Sequence, residues 1–309
     1  MTSQPKAVLI AGPTASGKSA AALSLATALR GTVINADSMQ VYRELAILTA
    51  RPAEADMQLA PHGLYGTVSA REAYSVGRWL EDVAAAIGDA QGEGRVPILV
   101  GGTGLYFKAL LGGLTLVPDI PVEIRGFWRE QSQTIGANDL HDALAARDPA
   151  MAQRLRPSDP QRIVRALEVI DATGISLSEW QGSRPPSPVL SPEAVLKLVI
   201  APERKPLYAR VDARFDRMLR MGALEEVRAL LALGLANSLP AVRAHGVREL
   251  SGHLAGTSSL DDAVEKAKTE SRRYAKRQMT WARRYMADWD WFPDASTATD
   301  ATVKLLARR

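Results

Sequence analysis

Gly12-Pro13-Thr14-Ala15-Ser16-Gly17-Lys18-Ser19 fits G-x-x-x-x-G-K-S at every position. Before it, Ala7-Val8-Leu9-Ile10-Ala11 is a short apolar run of the buried-strand kind; after it, Leu23, Ala26 and Leu29 recur at helical spacing. A glycine loop between a buried strand and a helix gathers backbone N–H groups into one concave nest for an anion. Lys18 adds a point charge at phosphate oxygens, and the Ser19 hydroxyl can hold Mg²⁺. A parallel α/β sheet with a phosphate compound at its strand ends follows. The compound stays open, because a kinase, a switch ATPase and an enzyme with a diphosphate leaving group all need this nest.

Composition removes several chemistries. None of the 309 residues is cysteine, so disulfides, thiolate zinc sites and a cysteine nucleophile are excluded, and a cytoplasmic location is expected. The chain enters a strand almost at once, which predicts no signal peptide, and no apolar run approaches a membrane span. The net charge is only +4 although the pI is near 9.4, so the placement of the basic residues matters more than their excess.

Thr32-Val33-Ile34-Asn35-Ala36 reads as a second buried strand ending at Asp37-Ser38-Met39-Gln40-Val41-Tyr42. A polar group just past the C-terminal end of such a strand faces the ligand crevice. Asp37 can also cap a helix, and the two roles are compatible. Residues 51–69 read as loop, and His62, His141, His245 and His253 are isolated, with no ligand spacing between them. Ser75 opens a helix that closes at Gly92-Glu93-Gly94. Val96-Pro97-Ile98-Leu99-Val100 is a third strand running into Gly101-Gly102-Thr103-Gly104, a second crevice loop.

The strand-helix alternation then stops. From Pro121 to Gly182 the patterns are helical, with Asn138 capping one helix and Asp159-Pro160 starting another that Gly174 closes. In that helix Gln161 and Arg165 share a face, and spacing alone leaves Arg165 a solvated arginine. Residues 183–188 are a proline-rich loop, and Ala194 to Ala201 returns to strand. The chain thus reads as an α/β core of residues 1–118 and 194–309, with an all-helical insertion at 119–193. Arg210, Arg214 and Arg217 lie on one helix face, either solvated or forming a wall of an anion site. From Asp261 to Ala287 an apolar stripe of Val264, Ala267, Tyr274, Trp281 and Tyr285 backs Lys266, Lys268, Arg272, Arg273, Lys276, Arg277, Arg283 and Arg284. Nearly one sign of charge on that surface points to phosphate backbones rather than a merely solvated face.

Taken in order, these motifs closely resemble those of bacterial tRNA dimethylallyltransferases, also called tRNA isopentenyltransferases, over nearly the whole chain. They are Gly12 to Ser19, Asp37 to Tyr42, Gly101 to Tyr106, Asp159 to Val169 and Lys276 to Trp281. The resemblance implies a P-loop NTPase-like core, Mg²⁺, and transfer of a dimethylallyl group from dimethylallyl diphosphate to the exocyclic amine of an adenosine next to the anticodon. It implies that Asp37 is the catalytic base, that Asp37, Ser38, Met39 and Gln40 form the adenosine-recognition segment, and that Thr103 stands at the reaction site. It implies tRNA contacts at Arg125, Gln161, Arg162, Arg165, Arg243, Arg248, Lys276, Arg277, Gln278, Trp281 and Arg283. The family often has G-T-A-K-P where this chain has Leu48-Thr49-Ala50-Arg51-Pro52, and G-Y-R-Q where it has Gly246-Val247-Arg248-Glu249.

The chemistry these residues would serve is physically consistent. An allylic diphosphate reacts through a loose, cation-like transition state, so charge develops on the departing diphosphate. The expected diphosphate site is the loop Gly12, Pro13, Thr14, Ala15, Ser16 and Gly17, donating through its backbone N–H groups at every position but the proline, with Lys18, Mg²⁺ on Ser19, and Arg214. Asp37 would take the amine proton, Thr103 would bond the diphosphate or position Asp37, and the adenine would leave its stack to enter the crevice. A P-loop small-molecule kinase or prenyl transfer to a free adenine nucleotide are the alternatives. A monomer is expected.

Overall fold

The structure, a computed structural model, describes residues 5–115, 117–182 and 187–307. The chain divides into two compact units, one of residues 1–111 and 189–309, the other of residues 112–188.

The first unit is built on β1 (Ala7–Ala11), whose five residues are all buried. It continues through α1 (Lys18–Leu29), β2 (Gly31–Asn35), α2 (Glu54–Leu59), β3 (His62–Gly63), α3 (Val76–Gly92), β4 (Val96–Gly101) and α4 (Gly104–Gly112). Two elements depart from the loop expected over 51–69. The α2 helix has no buried residue and so carries no apolar rhythm, and β3 is only two residues long. Ser75 caps α3 through its hydroxyl, which accepts from the Arg78 amide.

The second unit contains α5 (Val122–Thr134), α6 (Ala137–Arg147), α7 (Pro149–Arg154), α8 (Pro160–Thr173) and α9 (Leu177–Gly182). All its regular elements among the described residues are helices, and its bounds begin and end somewhat earlier than 119–193. The N-cap of α6 is Gly136, so Asn138 lies inside the helix and does not cap it. Asp159 caps α8 as its sequence demands, and Gly174 closes it at φ 69°. Ile163, Leu167, Trp128, Leu140 and Leu144 form the unit's own core. Residues 183–186 of the proline-rich stretch lie outside the described residues.

Returning to the first unit, the chain adds β5 (Val195–Ile200), α10 (Arg204–Arg220), α11 (Ala223–Ala232), α12 (Val247–Leu254), α13 (Leu260–Tyr285), β6 (Asp290–Phe292) and α14 (Ala295–Ala307). The six strands form one parallel sheet in the order β3-β2-β4-β1-β5-β6. β1 alternates its side chains between two cores. Ala7, Leu9 and Ala11 face the larger cluster with Trp79, Tyr106 and Phe107; Val8 and Ile10 face a smaller one with Leu25 and Ile98. The neighbouring positions of β2, β4 and β1 put the loops that follow them side by side at the C-terminal ends of the strands, which is where an open α/β sheet binds its ligand.

Candidate active site

The loop after β1 turns through Ala15 at φ 60° and Gly17 at φ 97°, then feeds α1. Ser16 is buried, and its hydroxyl has no hydrogen-bond partner among the described residues. An orphaned donor inside a nest of backbone N–H groups is the arrangement an incoming phosphate oxygen satisfies. Lys18 donates to the Pro13 carbonyl at 3.2 Å. Desolvation lowers its pKa to about 8, with Asp37 pulling it back up and Arg214 pushing it further down.

Asp37 is held by the strand that precedes it. The Asn35 side-chain oxygen accepts from the Asp37 amide at 2.8 Å, and the Asn35 side-chain nitrogen donates to the Asp37 carbonyl at 2.9 Å and to the Leu64 carbonyl at 3.1 Å. Behind Asn35, the Trp79 indole donates to its backbone carbonyl at 3.0 Å while stacking on Tyr106 at 4.1 Å. The Asp37 carboxylate accepts from the Met39 amide at 3.0 Å, so Asp37 caps the following turn as well as facing the crevice. Its charge is felt around the whole site. Burial first, and Asp37 second, push the phenols of Tyr65, Tyr106 and Tyr274 upward, so all three stay neutral. Burial lowers Arg214, and Asp37 acts against that.

The second crevice loop is joined to Asp37 by Thr103, whose hydroxyl accepts from the Ser38 amide at 3.0 Å and donates to the Ser38 hydroxyl at 3.3 Å. The glycines of this loop are there for close approach. A side chain at Gly102 would collide with Gln278, and one at Gly104 with the Trp281 ring. Gln278, buried on α13, bridges the two loops: it accepts from the Thr14 amide at 2.8 Å and donates to the Gly102 carbonyl at 3.0 Å. Arg214 reaches the same place from α10, donating to the Thr14 hydroxyl at 3.4 Å. Of the three arginines on that helix face, Arg214 is half-buried, whereas Arg210 and Arg217 are exposed.

A cavity of ≈ 220 Å³ opens beside these groups. Its polar wall includes Thr14, Asp37, Ser38 and Arg214; its apolar wall includes Leu48, Val211, Phe215 and Met218. Such a cavity offers one end to an anion and a proton donor and the other to a small hydrocarbon. His245 and Tyr274 also line it, with ring centroids 4.3 Å apart. Reading His245 as an isolated histidine missed this, because nothing near it in sequence marks the cavity. Burial first, then Arg277, lower its pKa, so it sits there as a neutral ring. A larger cavity of ≈ 680 Å³ adjoins it, sharing Arg243, Ala244 and His245 and continuing past Arg248.

A profile described as IPP transferase matches residues 40–285, and one described as isopentenyl transferase matches residues 5–62. A protein of Rhodopseudomonas palustris, a tRNA dimethylallyltransferase, is 54% identical over 98% of this chain and 94% of its own length. The chain belongs to the tRNA dimethylallyltransferase family. Membership carries the activity in the family's name, transfer of a dimethylallyl group to tRNA, and makes the chain a prenyltransferase with a P-loop core. The solved tRNA isopentenylpyrophosphate transferase of Bacillus halodurans is 34% identical and covers 98% of this chain and 96% of its own, with a TM-score of 0.70. A eukaryotic dimethylallyltransferase acting on tRNA has a TM-score of 0.76 at 29% identity, covering 94% of this chain and 73% of its own.

The residues expected to touch tRNA fall into three groups. Ser38, Met39, Thr103, Arg243 and Gln278 line or brace the crevice, and Trp281 packs on Gly104 beside it. Arg248, Lys276, Arg277 and Arg283 are exposed on the same unit. Arg125, Gln161, Arg162 and Arg165 belong to the helical unit. There Arg165 and Arg129 both pair with buried Glu168, at 3.3 and 3.4 Å, so Arg165 is not simply solvated. The basic surface of α13 also needs correcting. Arg272 pairs with Asp212 at 2.6 Å and Lys268 with Asp216 at 2.7 Å, both acids supplied by α10, and Arg273 pairs with Glu270 at 2.6 Å. Arg272 and Lys268 tie α13 to α10, Arg273 pairs within α13 and stays exposed, and the exposed Lys266, Lys276, Arg277, Arg283 and Arg284 carry the rest of the surface charge.

Proposed function

We propose that the loop N–H groups, Lys18 and Arg214 hold the diphosphate of dimethylallyl diphosphate, with the hydrocarbon against Leu48, Val211, Phe215 and Met218. The acceptor is the N6 amine of the adenosine beside the tRNA anticodon. As the new C–N bond forms, Asp37 takes the amine proton and diphosphate departs with the electron pair of the broken C–O bond. Thr103 keeps the Ser38 turn, and with it Asp37, against the second crevice loop. The observation that carries this reading is a cavity lined by Asp37 and Arg214 together with Leu48, Val211, Phe215 and Met218, with Lys18 close enough to feel the charges of both Asp37 and Arg214. Charge leaves on the diphosphate while a carboxylate receives a proton, and both groups are already in place.

Mg²⁺ fits the donor set. Among the described residues no three His, Asp or Glu side chains gather to cage an ion. Mg²⁺ commonly takes few protein ligands plus substrate phosphates, so the Ser19 hydroxyl with the diphosphate oxygens is a sufficient site. Bound there, the ion supplies charge to stabilise the departing diphosphate. Exposed Arg243, Arg248, Lys276, Arg277 and Arg283, together with Arg125, Gln161, Arg162 and Arg165 on the helical unit, grip the anticodon stem-loop. In this reading the protein works as a monomer in the cytoplasm. No described helix is long and apolar enough to cross a membrane.

Labelled dimethylallyl diphosphate and labelled ATP, each offered with tRNA and with AMP, test the reading. Label should pass from the allylic donor to tRNA alone, and pyrophosphate should compete with that donor better than ATP does. Phosphoryl transfer from ATP, or prenylation of AMP in preference to tRNA, would overturn it.

A further inference from the structure

Glu226 stands in the first turn of α11, where a carboxylate is ordinarily read as complementing the helix dipole. Here it does something else. One carboxylate oxygen accepts from the amides of Ala46 and Ile47, each at 2.7 Å, and the other from Leu48 at 2.9 Å. Those amides begin a single tight turn: Ala50 donates back to Ile47 at 2.9 Å, Arg51 to Ala46 at 3.0 Å, and Ala50 itself lies at φ 50°. The carbonyls at the other end of the turn, Thr49 and Ala50, accept from the Gln40 side-chain amide at 2.8 and 3.2 Å. One turn is therefore capped at both ends, by a charge from α11 and by the side chain of Gln40. Charge-assisted bonds to three aligned N–H groups are the stronger of the two caps.

The turn is part of the reaction site. Leu48 and Thr49 line the cavity beside Asp37 and Met39. Gln40 follows Asp37 by three residues and commits its amide nitrogen to the turn, so the turn and the segment that carries Asp37 are braced together.

We propose that Glu226 is a positioning residue of the transfer reaction, holding the 46–50 turn so that Gln40 and the cavity wall present one fixed geometry to the acceptor adenosine. The proposal rests on the functional reading above for its substrate. Glu226 acts on where the adenosine sits, and leaves the diphosphate nest alone. Near-attack geometry is sensitive to small displacements, so loosening the turn should show in the chemical step.

The test uses Glu226→Gln, which keeps the shape but sets an N–H₂ group against a backbone donor. Amide hydrogen exchange at Ala46, Ile47 and Leu48 should speed by about tenfold or more, in line with unpairing buried donors, while the loop of residues 12–19 exchanges as before. The single-turnover rate should fall by about tenfold or more, with pyrophosphate and tRNA dissociation constants held within about twofold. On a Gln40→Ala background the same change should add less than about twofold, because both act through one turn. Glu226→Asp, which keeps the charge, should recover part of the rate and slow the exchange. Unchanged exchange at 46–48, full additivity with Gln40→Ala, or pyrophosphate binding weakened in step with the rate would each overturn the proposal. If Glu226→Gln fails to fold, Glu226→Asp carries the same readouts with smaller effects. If the wild-type protein moves no prenyl group to tRNA, the functional reading fails, and the exchange measurement still judges Glu226.

Discussion

Asn35 grips Asp37 at both ends of its backbone, accepting from its amide at 2.8 Å and donating to its carbonyl at 2.9 Å. The residue that ends a buried strand thus sets the direction of the carboxylate two positions later. Asn35→Ala should cost about 1–3 kcal/mol of stability, because buried partners lose their bonds, and should slow the chemical step through a misdirected Asp37. Thermal melting and single-turnover kinetics check the two effects. A variant with normal melting and normal rate would remove Asn35 from the account.

Asp37→Asn keeps the size of the side chain and removes the proton acceptor. The single-turnover rate should fall by about two orders of magnitude or more, with tRNA affinity nearly unchanged, since affinity comes mainly from phosphate contacts elsewhere. A surviving rate with collapsed tRNA affinity would make Asp37 a recognition residue.

The lowered pKa of Lys18, about 8, gives the donor site a pH signature. The protonated amine is the form that attracts diphosphate. Affinity for the allylic diphosphate should therefore hold below about pH 8 and weaken as pH rises through it. Lys18→Arg keeps its charge over this range, so the difference in slope between the two proteins isolates the lysine. Parallel slopes above pH 8 would remove Lys18 from the contact. The same desolvation works against folding. The unfolded chain binds the lysine proton more tightly, so this group's contribution to stability rises with pH above about 8, and Lys18→Met should melt higher than wild type at neutral pH.

Basic residues on α13 should separate into two classes. Reversing Lys276, Arg277 and Arg283 to Glu should weaken tRNA binding and flatten its salt dependence, by roughly one unit of log slope for each phosphate no longer neutralised. Arg272→Glu should instead lower the melting temperature, because it sets two acids together where Arg272 now meets Asp212 at 2.6 Å. Equal effects of both changes on the salt slope would erase the distinction.

Much of the core was legible because its signals are local. β1 and β4 are continuous apolar runs and β2 and β5 are mostly apolar, as central parallel strands should be, and the 12–19 loop and Asp37 follow directly from β1 and β2. The two-residue β3 and three-residue β6 are too short for any period to register. What escaped reading depends on partners distant in sequence. Spacing put Arg210, Arg214 and Arg217 on one face but could not say that Arg214 alone turns toward Thr14. Arg272 looked like surface charge because its partner, Asp212, lies on another helix. For the same reason nothing in the sequence singles out Glu226: its three amides belong to a turn some 180 positions earlier.

Gln278 reaches back 264 positions to Thr14 and 176 to Gly102, and Arg214 meets Thr14 across 200. During synthesis the 12–19 loop therefore leaves the ribosome well before the side chains that finish it. β1 cannot acquire its neighbour β5 until the whole helical unit has been made, nor can the loop gain its bridge until α13 emerges. A nascent or truncated chain carries the phosphate motif without the two side chains that complete the crevice. The order of translation thus withholds a competent site until α13 has been made.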